Sequence, residues 1–289
     1  MQSQYLAIHP EDHFLDILRL RSHLRNNPLV GLSLTKVLLP VESMRAFLYM
    51  FSGRLYALQS IFIEADLQFT AAPLLRAPVY AACSRFSNVR KLHLSNIVFW
   101  SFGNFARLIC ALRSLVKLTL KRVSWDGDEG RSLADEPFAT CLRLKVIKID
   151  SADVSQYRNL LAAPNLLHTV SHLHLKYKKR RQAMLIVRLE NSRPQPTSSS
   201  LSALARTAKI QISMARNQAW FRSCFDLLDS FFCSSSTVCL NRVNVDMEEG
   251  NVSEDIKRMF FAKPLVFSAL RARGMEIEVH QIPAGCTAM

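Results

Sequence analysis

The 289 residues are 49% hydrophobic and 21% charged, with 37 basic against 23 acidic side chains and a formal net charge of +14. That apolar share can bury a substantial core in one large domain or two small ones, and it excludes disorder as the main state. No stretch of about 18 apolar residues runs without charge, so a membrane-spanning helix is not expected.

Taken along the chain, one short pattern keeps returning: Φ-x-x-Φ-x-Φ, where Φ is apolar. Its copies are Leu29-x-x-Leu32-x-Leu34, Leu58-x-x-Ile61-x-Ile63, Val89-x-x-Leu92-x-Leu94, Leu115-x-x-Leu118-x-Leu120, Leu144-x-x-Ile147-x-Ile149 and Val170-x-x-Leu173-x-Leu175. Successive first positions lie 29, 31, 26, 29 and 26 residues apart. Weaker copies flank the array: Leu6-x-Ile8 upstream, then Ile210-x-Ile212, Val243-x-Val245 and Ile277-x-Val279 downstream. Each copy predicts a strand with its Φ side chains on one face.

Helical patterns fall between the strands. Phe14 to Leu20 follows Glu11-Asp12, which suits a helix N-terminus. Val41 to Tyr49 follows Pro40, a natural first-turn residue. Phe102, Phe105, Leu108, Ile109 and Leu112 keep helical spacing, as do Phe221, Phe225, Leu228 and Phe232. Those phenylalanine stripes read as core and not as a ligand pocket. A unit of strand, turn and helix cannot bury its own apolar face, but stacked neighbours share one core. The expected fold is an α/β leucine-rich-repeat-like solenoid, with a curved parallel sheet on one side and helices on the other.

Residues 1–175 are expected to hold the regular repeats, 176–200 a basic run and a Pro/Ser-rich loop or linker, and 201–289 irregular repeats of the same stack. The linker opens with the basic run Lys176-Tyr177-Lys178-Lys179-Arg180-Arg181. An apolar stretch follows from Ala183 to Leu189, then the Pro/Ser-rich segment from Ser192 to Ser200. The basic run fits a nuclear-localisation signal or an anion-contacting patch, or more plainly a solvated strand end.

The block from Val89 to Phe99 running into Phe102 to Leu112, then Leu115 to Leu120 and Val123-Ser124-Trp125, resembles the F-box/leucine-rich-repeat-like proteins of mushroom-forming (basidiomycete) fungi. Cys141 to Leu144 and Leu160 to Pro164 resemble that group too, and the likeness extends over Leu29 to Leu175. The resemblance implies a scaffold that presents substrates to a Skp1–cullin ubiquitin ligase. Two features depart from the family. The position three residues after the last strand leucine, where Asn or Cys would form a backbone-bonding ladder, holds Val37, Asp66, Ile97, Val123, Ala152 and Lys178, so the repeats are degenerate. No F-box, a helical module of about forty residues ahead of the repeats, is visible, and Skp1 is a partner only if one lies upstream.

The seven cysteines, Cys83, Cys110, Cys141, Cys224, Cys233, Cys239 and Cys286, are odd in number and irregular in spacing, with no Cys-x-x-Cys. Neither a disulfide framework nor a zinc site is expected from them. They read as small buried hydrophobes in a reducing compartment. The start, Met1-Gln2-Ser3-Gln4-Tyr5, has no basic segment leading into an apolar core, so the expected location is cytoplasmic or nuclear. Gly-x-Ser-x-Gly, His-Glu-x-x-His, Walker-type loops and Gly-x-Gly-x-x-Gly are all missing, and no enzyme is expected. Asp126-Gly127-Asp128-Glu129-Gly130 lacks the spacing of a calcium loop and reads as a solvated turn. His172 and His174 share a strand face but have no third ligand at a zinc-like spacing. No cofactor or metal is expected.

Strand alternation points Phe62, His93, Thr119, Lys148, His174 and Gln211 out of the core, flanked by Lys91, Lys117 and His172 on one side and Lys121, Asp150 and Lys176 on the other. The candidate partner-binding face is Lys91, His93, Lys117, Thr119, Lys121, Lys148, His172, His174 and Lys176. A face of that charge suits an acidic or phosphorylated protein segment, though it is also what any solvated sheet face presents. Two other readings stay open: a basic nucleic-acid-associated protein, resting on the net charge and the Lys176–Arg181 run, and a degenerate fragment without its own activity.

Overall fold

The computed structural model describes residues 4–7, 18–19, 21–22, 25–26, 34–65, 70–72, 76–127, 139–177, 183–191, 206–213, 218–233, 240–248, 252–261, 267–273 and 275–282. The expected helix at Phe14 to Leu20 and the Ser192 to Ser200 segment lie wholly or mostly outside them, as do Lys178 to Arg181. The chain is mixed α/β, its long strands mostly parallel and alternating with helices, and it divides into two compact units, Met1–Leu144 and Lys145–Met289.

In the first unit, the long strands are β1 (Gln4–Ala7), β2 (Leu34–Pro40), β3 (Ser60–Glu64), β5 (Lys91–Ser95) and β7 (Lys117–Lys121). They pair in that order, all parallel. Between them lie the short strands β4 (Thr70–Ala71), β6 (Ile97–Phe99) and β8 (Ser124–Trp125), which form a second parallel ladder. The helices are α1 (Met44–Phe51), α2 (Ala77–Cys83) and α3 (Phe102–Ala111). Each strand alternates as its sequence requires: Ile61, Ile63, Leu92, Leu94, Leu118 and Leu120 are buried. Helix α1 meets that core with Met44, Phe47, Leu48 and Phe51, and α3 with Phe102, Phe105, Leu108 and Ile109. Ser101 caps α3 by accepting a bond from the Asn104 N–H at 3.2 Å.

One strand departs from the sequence reading. The first repeat was expected at Leu29, Leu32 and Leu34, but β2 starts at Leu34 and buries Leu34, Val37 and Leu39. Val37 pairs with Ile61 and Leu39 with Ile63, so the repeat is Leu34-x-x-Val37-x-Leu39. Both frames carry the same apolar pattern. Pairing with β3 selects the later one, because a parallel register must bring core side chains level across the strands.

In the second unit, β9 (Val146–Asp150) and β10 (His172–Tyr177) are parallel. Helices α4 (Arg158–Leu161) and α5 (Pro164–Thr169) lie between them in sequence. Then comes a strand that was read as linker: β11 (Ala183–Asn191) pairs antiparallel with both β10 and β12 (Arg206–Ser213). The expectation of a uniformly parallel sheet is corrected at this strand. Only residues 178–182 separate β10 from β11, and a parallel crossover needs a dozen or more. The alternation was present in the sequence, since Ala183, Leu185, Val187 and Leu189 are buried while Met184, Ile186 and Arg188 are half-exposed. After β12, helix α6 (Gln218–Cys233), strand β13 (Leu240–Glu248), helices α7 (Glu254–Phe261) and α8 (Ser268–Ala272) and strand β14 (Glu276–Ile282) restore parallel pairing. The boundary between the two compact units falls at Leu144/Lys145. Among the described residues no helix is long and apolar enough to cross a membrane.

Backbone bonds repeat from module to module. The residue directly after a long strand gives its N–H to a carbonyl at the end of the next strand: Ala65 to Ser95 at 3.0 Å and Asn96 to Lys121 at 2.9 Å, each the last of its strand, and Ser151 to Lys176 at 3.1 Å, the last but one. At the other strand end, one carbonyl accepts two N–H groups. Gln59 takes those of Arg90 and Lys91, Arg90 those of Val116 and Lys117, and Lys145 those of Ser171 and His172.

Candidate functional site

Each unit carries its own share of the expected binding face, on the strand side opposite the buried leucines. In the first unit the register lays out three rows. Lys36, Ser60, Lys91 and Lys117 form one, Leu38, Phe62, His93 and Thr119 the next, and Pro40, Glu64, Ser95 and Lys121 the third. Neighbouring strands lie about 4.8 Å apart, so Lys91 and Lys117 stand side by side as like charges. Glu64 is the only carboxylate in the three rows, and its Oε1 lies 3.4 Å from His93 Nε2. Among the described residues, Lys91, Lys117 and Lys121 are in no ion pair.

Phe62 gives this patch a flat apolar centre. The His93 ring stacks on it at 5.4 Å, and Lys36 Nζ sits 4.3 Å from its centroid on a cation–π contact. Partial burial holds His93 below the usual histidine range; Glu64 works against that, while Lys121 and Lys117 reinforce it.

In the second unit, His172 and His174 do share a face, with rings 6.3 Å apart. The rows run Val146, His172, Arg188, Lys209, Asn244, Glu278 and Lys148, His174, Ile186, Gln211, Asp246, His280. His172 Nδ1 is 2.9 Å from Ser171 Oγ. His174 is pushed down to about 4, first by burial and then by its neighbours Lys148, His172, Lys176 and Arg188. It is therefore neutral near pH 7 and leaves the positive charge to its neighbours. No group of three or more His, Cys, Asp or Glu side chains among the described residues is placed to hold a metal ion. Cys110 is buried within α3.

The far half of this face is different. Lys209 pairs with Glu190 at 3.2 Å, Arg242 with Glu276 at 3.1 Å and Glu278 at 3.6 Å, and His280 with Glu278 at 3.6 Å. Strands β12 to β14 are thus charge-balanced, while Lys176 and Arg188 remain outside any described ion pair. Arg188 is the contributor that sequence reading missed, because its strand was taken for linker. Its signal was the alternation of residues 183–189. Lys36 and Glu64 were missed for a related reason: the first frame put Lys36 outside a strand, and acids were not sought opposite His93.

No family model matches the chain, and no curated protein matches it in sequence. Among solved structures, a chain from the structure of Chaetomium Mex67:Mtr2 subunits aligns with 45% of this chain and 88% of its own length, at 15% identity and a TM-score of 0.28. A likeness of that size carries no argument about fold or function.

Proposed function

We propose that this chain is a non-catalytic protein-recognition scaffold, a leucine-rich-repeat-like solenoid of degenerate repeats whose open sheet face captures an acidic or phosphorylated protein segment. The reading rests on one observation: Lys91, Lys117 and Lys121 share a strand face with a single carboxylate, and none of the three is in a described ion pair. Adjacent like charges destabilise a sheet, and a bound anion relieves that repulsion. Phe62, half-buried beside His93, gives the same anion-binding face a place for an apolar side chain. The resemblance to F-box receptors adds the class of role, substrate recognition for a ubiquitin ligase, with Skp1 engaged only through an F-box module.

The test is a phosphoserine-peptide library, with matched unphosphorylated peptides, read by fluorescence anisotropy against the full chain. Selected phosphopeptides should bind, and the triple variant Lys91→Gln/Lys117→Gln/Lys121→Gln should weaken them at least ten-fold. Unchanged binding by that variant removes the proposal.

A further inference from the structure

The first unit carries a second cationic surface of different chemistry, away from its strands. Three open grooves of about 660, 530 and 610 Å³ lie along α1: the first between Leu18, Arg21, Ser22 and Arg25 and the turn after α1, the second between the end of α1 and α2, and the third between α1 and the start of α2. The first two share Arg21 and Arg54, and the second and third share Tyr49, Met50 and Pro78, so each groove borders the next and the three form a channel-like series. Gly53, at φ +71°, makes the turn after α1 that brings Arg54 into both of the first two grooves.

The cationic side chains lining these grooves are all arginine, where the first unit's sheet face offers lysine and histidine. Arg25 lines the first groove and Arg85 the second, beside the shared Arg21 and Arg54. Arg45 and Arg76 carry the charge into the third, where Glu42 is the only carboxylate among the described lining residues. None of these guanidinium groups is in a described ion pair. Two flat side chains stand beside them with most of their surface in solvent, Tyr49 at 60% and Tyr56 at 61%.

We infer that this channel binds single-stranded nucleic acid. Guanidinium groups grip phosphate oxygens through paired hydrogen bonds and also stack on flat rings, which an ammonium does less well. A run of such groups tracks a phosphodiester backbone, and exposed tyrosines beside it offer stacking platforms to unpaired bases. An acidic peptide would use the arginines but leave the two tyrosine faces without a matching plane. The inference stands apart from the sheet-face reading and uses none of its residues.

The experiment measures anisotropy of fluorescein-labelled oligouridylate and oligothymidylate, each of about fifteen nucleotides, with the full chain across a salt series. Arg21→Gln/Arg54→Gln/Arg85→Gln should weaken binding at least ten-fold and lower the log–log salt slope by about 2, near 0.7 for each lost phosphate contact. Tyr49→Ser/Tyr56→Ser should weaken it by about ten-fold with the slope unchanged, as loss of stacking requires. The control removes the same charge from exposed positions outside both surfaces, through Arg90→Gln/Arg143→Gln/Arg158→Gln, and should change affinity less than two-fold. Oligouridylate and oligothymidylate affinities separate an RNA ligand from a DNA one. Equal losses in the two triple variants would show only attraction to a basic protein and overturn the inference. So would full affinity in the tyrosine variant, or tighter binding of a phosphopeptide in the same channel. Circular dichroism of each variant confirms the native fold, which these exposed positions do not support.

Discussion

The Asn96 side chain donates from Nδ2 to the carbonyl oxygen of Ala65 at 3.0 Å, joining the ends of two successive long strands. Asn96 is buried and sits at φ +61°, the left-handed conformation that turns the chain from β5 into β6. Asparagine suits both demands, since it tolerates that backbone and carries a donor. Replacing it with alanine loses the bond to a buried carbonyl and strains the turn, a cost of about 2–4 kcal/mol. Asn96→Gly should restore the backbone part and remain about 1–2 kcal/mol less stable than the native chain. Arg122 holds the equivalent turn after β7 at φ +50°, so Arg122→Gly should gain several tenths of a kcal/mol. Urea midpoints at constant m-value test the three together. Equal loss for alanine and glycine at position 96 would deny the backbone role.

A pH dependence follows from His174. Its folded value, about 4, lies below the ordinary 6.5 because burial and surrounding cations disfavour the charged ring. The unfolded chain therefore takes up a proton as pH falls through 6.5 while the native chain does not. Stability rises with pH across that window, is fully present above 6.5, and is lost as pH falls toward 4. The His174 Hε1 resonance should titrate near 4. In His174→Gln the decline in thermal midpoint between pH 6.5 and 4 should be shallower than in the native chain. An ordinary titration midpoint for His174 would refute the assignment.

Thiol chemistry divides by burial. Cys83 lies in α2 with no exposed surface, and burial pushes its thiol up to about 12. Cys224, in α6, is raised as well by the same cause. Neither forms thiolate at pH 8, so a disulfide-exchange reagent should leave both untouched in the native chain and modify both after urea unfolding. Peptide mapping after a timed quench reads the two positions separately. Rapid native labelling of Cys83 would contradict its burial in the fold.

Much of this architecture was legible from apolar spacing, and the failures share a cause. The copies at Leu58, Val89, Leu115, Leu144 and Val170 each became a strand because Φ-x-Φ has one sensible face. Leu34-x-x-Val37-x-Leu39 was missed because an equally good frame lay five residues earlier, and only pairing with β3 separates the two. Strand β11 was hidden by the charged and Pro/Ser-rich segments on either side of it, which pull a local reading toward linker. The Asn96 side-chain bond was not foreseen, because the position inspected for such a residue was Ile97, one place later. The paired lysines were visible as outward residues. The long-range facts were not: that Glu190, Glu276 and Glu278 neutralise one half of the second face, and that Arg21 meets Arg54 in a groove.

Lys91 and Lys117 supply the sharpest contrast between stability and recognition. They face each other across β5 and β7, and neither has a described counter-ion. Like charges placed opposite on a sheet are unfavourable, while an opposite pair gains roughly 0.2–1 kcal/mol. Lys117→Glu should therefore raise the urea midpoint modestly, and the gain should shrink in high salt. The same change puts a carboxylate in the middle of the basic rows and should abolish phosphopeptide capture. Lys117→Gln removes the repulsion without adding a partner and should fall between the two in stability. A stabilised Lys117→Glu chain that has lost its ligand would show that the lysine pair is kept for binding at the expense of the fold. A stabilised chain that binds as before would make the pair part of an ordinary solvated sheet face, with recognition placed elsewhere on the molecule.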